Sequence, residues 1–90
     1  MNAIILNGNR MTSIKTAHRY IKRKLDFPDY YGENLDALWD ILSSVSQPTV
    51  IKLINCNKMR ADLGEYSELL LSVFIDADKE NDKVTFEVVE

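Results

Sequence analysis

Apolar positions recur along this chain with two different periods, and the changes of period mark its elements. Ala3-Ile4-Ile5-Leu6 is a continuous apolar run closed by Asn7-Gly8, the pattern of a strand buried on both faces. Ile14, Ala17, Ile21 and Leu25 follow at helical spacing, with Thr12 or Ser13 placed to cap a helix that runs to about Leu25. Residues 26–32 form a loop, because Pro28 cannot continue a helix and pushes Phe27 out of one. A second helix is predicted from about Glu33 to Ser44, with Leu35, Leu38, Leu42 and Val45 as its core stripe and Pro48 beyond its end. Val50 to Ile54 is a mostly apolar strand interrupted by Lys52, and Asn55 to Leu63 reads as a short helix or an irregular connection. Gly64 precedes a long helix to about Glu80, striped by Tyr66, Leu69, Leu70, Val73, Phe74 and Ala77. Val84 to Val89 alternates, as a half-exposed edge strand does.

Strands separated by helices imply parallel pairing with right-handed crossovers. The expected fold is a small single-domain α/β protein over residues 1–90, a three-stranded parallel sheet with helices packed on it. Three glycines and two prolines in 90 residues agree with long elements and few sharp turns. One cysteine, Cys56, and one histidine, His18, exclude an internal disulfide and the usual zinc ligand sets. No metal and no cofactor is expected. The first apolar run is too short for a signal-peptide core, and none approaches a membrane span, so the chain reads as cytoplasmic.

Net charge is −3, against generic nucleic-acid binding, but the charges are segregated. Residues 10–24 hold six bases and no acid; residues 26–40 hold five acids and no base. On a helical wheel at about 100° per residue, Glu33, Asp36, Asp40 and Ser43 share one side of the second helix, and Trp39 lies on the seam between that side and the core. Asp36 and Asp40 are like charges one turn apart, which costs the helix a few tenths of a kcal/mol. Two readings stand: a solvated acidic face beside a core tryptophan, or a cation-binding patch with an aromatic anchor. Tyr30 and Tyr31 precede this helix, and the pattern expects Tyr31 to pack inward and Tyr30 to be exposed.

Catalysis finds little support. Two aspartates on one exposed helix face do not flank a bond, Asp36, Asp40 and Glu33 lack the carbonyl ligands of a calcium loop, and Cys56 with His18 lacks an orienting partner. The three glycines are isolated and cradle no phosphate. The basic helix has no aromatic stacking platform for nucleic acid.

The segment Pro28-Asp29-Tyr30-Tyr31-Gly32-Glu33-Asn34-Leu35-Asp36-Ala37-Leu38-Trp39-Asp40 resembles the signature of the barstar family, intracellular inhibitors of barnase-type ribonucleases. A weaker likeness extends over the whole chain. The resemblance implies a barstar-like fold and a partner-binding surface in which the second helix and the loop before it plug the nuclease active site. By position, Asp40 would occupy the phosphate subsite, Asp36 would pair with a neighbouring cation and Tyr30 would lie against the catalytic histidine. Asn34, Leu35, Trp39 and Ser43 would fill the rim, and Asp76 would supply a further acidic contact. Val45, Ser44 and Asp76 depart from the family pattern, where an aromatic residue, a glycine and a longer acid stand.

The resulting expectation is a non-enzymatic immunity protein of a bacterial toxin–antitoxin kind. It is expected to be a monomer when free, to bind a barnase-type ribonuclease or related nuclease toxin, and to bind neither nucleic acid nor membrane. The competing expectation is a regulatory interaction module that uses the same surface on another partner. Leu71 and Ile75, placed away from the last helix's stripe, are candidates for self-association.

Overall fold

The computed structural model describes residues 2–89. In chain order they form β1 (Asn2–Asn7), a 3-10 turn (Gly8–Arg10), α1 (Ile14–Lys24), α2 (Leu35–Ser43), β2 (Thr49–Ile54), α3 (Cys56–Leu63), α4 (Glu65–Glu80) and β3 (Val84–Val89). The sheet has the order β1-β2-β3 and is parallel throughout, as expected. Ile4 aligns with Ile51 and Phe86, and Leu6 with Leu53 and Val88. Asn55 to Leu63, left open between helix and irregular chain, is helical as α3 apart from its first residue.

Right-handed crossovers that step twice in the same direction across a sheet place both sets of helices on one face. The side chains report that outcome. Leu6, Ile51, Leu53 and Val84 are buried on the helix-covered face, whereas Ile5, Thr85, Glu87 and Val89 face solvent on the other. The strand at Ala3–Leu6 is therefore not buried on both faces: it is an edge strand of a sheet covered once. Lys52 and Glu87, in register on the open face, pair at 3.4 Å.

Two helix phases also differ from expectation. Ile14, at the first turn of α1, is 47% exposed, and the core face of that helix is Ala17, His18, Tyr20 and Ile21. In α4 Leu69 is 54% exposed and Leu71 only 4%, so the buried stripe runs Ser67, Leu70, Leu71, Phe74 and Ala77. Leu71 is core and unavailable for self-association, while Ile75 is exposed. The remaining core, including Met11, Phe27, Tyr31, Leu38, Leu42 and Met59, fills the space between helices and sheet. Where β1 ends, a side chain at Gly8 would place its first carbon 2.1 Å from the Asn55 carbonyl oxygen, so only glycine fits there.

Candidate functional site

The loop from α1 to α2 is built rather than slack. Asp26 takes a left-handed conformation (φ 55°), the Phe27 N–H donates to the Lys22 carbonyl at 2.9 Å, and the Asp26 N–H reaches the Arg23 carbonyl at 3.4 Å. That is the Schellman closure of a helix, with aspartate where glycine is usual and Phe27 buried beneath it. The Tyr31 N–H then donates to the Pro28 carbonyl at 3.0 Å.

Glu33 is the next left-handed residue (φ 55°), so it cannot begin a helix, and α2 starts later than expected. Asn34 is its N-cap: Oδ1 accepts from the Ala37 N–H at 2.8 Å, and Nδ2 donates to the Gly32 carbonyl at 3.2 Å. Asp36 lies in the first turn, where the helix dipole favours an acid. At the other end, the Ser43 and Ser44 hydroxyls both donate to the Asp40 carbonyl, at 3.1 and 2.8 Å. Asn81, just past α4, donates through Nδ2 to the Leu42 and Val45 carbonyls at 3.0 Å each. The helix is thus tied at both ends.

Beneath the loop lies a polar network in the core. His18 is fully buried, with Nδ1 2.6 Å from the Tyr31 hydroxyl and Nε2 2.6 Å from that of Tyr66. A neutral imidazole has one donor and one acceptor, so one tyrosine donates to the ring and the other accepts from it. Burial pushes the His18 pKa below its ordinary value, against a smaller upward pull from Glu33. Burial also pushes the phenols of Tyr31 and Tyr66 up; for Tyr31, Tyr66 and Glu33 add to the effect. All three groups are neutral near pH 7. His18, read as one position on a basic helix, proves to be the internal strut of this region.

Above the network two clefts open between the loop and α2. The larger, about 440 Å³, is lined by loop residues from Leu25 to Pro28, by Tyr30 and by Asp40, Ile41 and residues 44–46; the smaller, about 240 Å³, by Tyr30, Tyr31, Gly32, Ala37, Asp40 and Ile41. Tyr30 and Asp40 wall both. Tyr30 is 85% exposed, and among the described residues its side chain makes no hydrogen bond and Asp36 and Asp40 take part in no ion pair. An exposed phenol and uncompensated carboxylates on a braced helix can receive a cationic, hydrogen-bonding surface.

The other candidate residues divide. Ser43 shares the exposed side of α2 with Asp36 and Asp40, whereas Leu35 and Trp39 are half-buried against the core. Asn34 is exposed but engaged as the cap. Asp76 is exposed on α4 and lines neither cleft. Ile41 lines both clefts and was not singled out from the sequence; its signal is a wheel position between the core stripe and the acidic side.

The chain is similar to a known family and to a bacterial relative. The model of the family described as Barstar (barnase inhibitor) matches residues 1–90. A protein of Bacillus subtilis (strain 168) named "Putative ribonuclease inhibitor YrdF" is 43% identical over 81 residues, which cover 89% of each chain.

Proposed function

This chain belongs to the barstar family, and we propose that it inhibits a barnase-type ribonuclease by seating the Tyr30–Asp40 wall in the enzyme's active site. A ribonuclease-inhibitor role follows at the level of the family, whose members act as inhibitors rather than enzymes. The specific partner and the mode of blockade are our reading. The observation that carries it is the Asp40 carboxylate, unpaired among the described residues, in the wall of two clefts on a helix held at both ends.

A ribonuclease site is organised to hold a phosphate. A carboxylate has the charge and part of the acceptor geometry of a phosphate, so such a site can accept it through charge-assisted hydrogen bonds. Asp36, one turn away, meets a second cation, and the mutual repulsion of the two acids is relieved when those cations arrive. Tyr30 supplies a large rigid surface with a polar tip at small entropic cost. Leu35, Trp39 and Ser43 form the rim, Asn34 acts by fixing the start of α2, and Asp76 makes an outlying acidic contact. Because α2 is braced before binding, little ordering cost remains. In this reading the inhibitor works in the cytoplasm as a free monomer.

The test is titration of a purified barnase-type ribonuclease with the wild-type chain, Asp40→Ala and Glu87→Ala. Wild type should inhibit stoichiometrically. Asp40→Ala should lose at least about tenfold in affinity, since a hydrogen bond to a charged group contributes about 1.5–3 kcal/mol. Glu87→Ala, on the open face of the sheet, should match wild type. Equal losses in both variants would remove Asp40 from the site, and absence of inhibition by wild type would remove the barnase-type partner.

A further inference from the structure

Away from the acidic clefts, the 3-10 turn and α1 form an open surface cavity of about 300 Å³ lined by Arg10, Thr16, Arg19, Tyr20 and Arg23. Thr16, Arg19, Tyr20 and Arg23 stand at i, i+3, i+4 and i+7 and so share one helix face, which Arg10 joins from outside the helix. Tyr20 sets the spacing. Its ring is buried and its hydroxyl accepts from the Asn7 N–H at 2.9 Å, so it cannot swing. The guanidinium carbons of Arg10 and Arg23 stand 5.7 and 5.8 Å from its centroid, within reach of cation–π attraction.

Among the described residues, Arg10 and Arg23 take part in no ion pair; Arg19 shares a single one with Glu33 at 3.6 Å and stays largely exposed. The Ser13 hydroxyl donates to Thr16 Oγ1 at 3.0 Å, which leaves the Thr16 proton for another acceptor. The dipole of α1 accounts for Arg23 in the last turn, but not for Arg10 or for the mid-helix Arg19. A protein of net charge −3 has no overall pull on anions, so any attraction for them here is local.

We propose that this cavity is a binding site for a di- or triphosphate group, held by the guanidiniums of Arg10, Arg19 and Arg23 and by the Thr16 hydroxyl. Three planar forks lining one cleft match the several oxygens of linked phosphoryl groups, and a monovalent anion would leave most of those donors unused. The Tyr20 ring is buried against the two guanidiniums and offers no platform for a base. Recognition is therefore of the phosphates, and inorganic and nucleoside sources should bind alike. The site is separate from the inhibitor reading and stands without it.

Titration of the full ¹⁵N-labelled chain with inorganic triphosphate, ATP, sulfate and a short single-stranded RNA tests the proposal at one fixed salt concentration. Triphosphate and ATP should bind within about threefold of each other and at least about tenfold tighter than sulfate, with amide shifts centred on residues 10–23. Arg10→Gln and Arg23→Gln should each weaken triphosphate binding about fivefold, a figure discounted for solvent exposure. Lys15→Gln, on the same helix but outside the cavity, should change it less than about twofold. Thermal melts check that the variants remain folded. Unsaturable binding, sulfate equal to triphosphate, or Lys15→Gln as costly as Arg23→Gln would each overturn the site. ATP or the RNA binding far more tightly than triphosphate would overturn recognition of phosphate alone.

Discussion

Tyr30 and Tyr31 share a peptide bond, yet Tyr30 leaves 85% of its surface to solvent while Tyr31 keeps 4%. The difference extends to the two sides of the segment that carries them. Inward, Tyr31 meets Phe27 edge to face at 5.0 Å between centroids and holds His18, and among the described residues no buried side-chain nitrogen or oxygen lacks a partner. Outward, the side chains of Tyr30, Asp36 and Asp40 take part in no hydrogen bond or ion pair among the described residues. The satisfied side makes the unsatisfied one usable. Groups that must wait for a partner keep their geometry only when the chain beneath them has no alternative arrangement, and the His18 network removes the alternatives.

Alanine at each tyrosine separates the two roles most sharply. Tyr31→Ala should cost about 3–5 kcal/mol of folding stability, the usual loss for a large buried aromatic, read from urea denaturation. Tyr30→Ala should leave that stability within about 0.5 kcal/mol and instead weaken nuclease binding by about 2 kcal/mol, roughly thirtyfold, measured by inhibition titration. Equal stability losses would mean that the two sides are not distinct.

Acid should loosen the inner side selectively. In the unfolded chain His18 titrates near 6.5, and burial lowers that value in the fold. Between the two values the unfolded chain binds a proton that the folded chain refuses. Stability is therefore complete above about pH 6.5 and declines as pH falls toward the depressed value, by at most about 1.4 kcal/mol per pH unit. Denaturation midpoints from pH 7.5 to 5 should trace this slope, and His18→Gln should flatten it. An unchanged slope in the variant would assign the effect to carboxylates.

The smallest effect concerns the border between the sides. Asn34→Ala should cost about 1 kcal/mol through loss of the cap, and Asn34→Ser should recover most of it. A binding defect in Asn34→Ser at full stability would show that the amide itself meets the partner.

What the sequence made legible follows from the same physics. Element order and parallel topology could be read because Asn7-Gly8, Pro28, Pro48 and Gly64 punctuate runs of distinct period. The inward Tyr31 and outward Tyr30 were legible as well, because adjacent aromatics in an irregular segment rarely find room on one side. The phase of α4 was not. Leu69-Leu70-Leu71 is apolar at three successive positions, and the true stripe includes Ser67, whose hydroxyl is satisfied by the Gly64 carbonyl at 2.6 Å. His18 stayed hidden because its partners lie 13 and 48 positions away. The start of α2 was misplaced because the left-handed Glu33 conformation has no mark in composition, although Asn34 fits a cap.

Asn81 carries a consequence for how the molecule is made. Its amide completes the C-terminal carbonyls of α2, 39 and 36 positions earlier in the chain, while its Oδ1 accepts from the Lys83 N–H at 3.0 Å at the approach to β3. On the ribosome, the helix that bears Asp36 and Asp40 emerges early with its local cap, but its last carbonyls wait for Asn81 until the far end of α4 has followed it. α2 also packs against α4, so its dry face is not fully covered before α4 has formed. If α2 acts as proposed, binding competence should thus arrive late in synthesis, and a chain stalled before Asn81 would carry Asp36 and Asp40 on a helix capped locally at its start but not yet tied at its end to the rest of the fold.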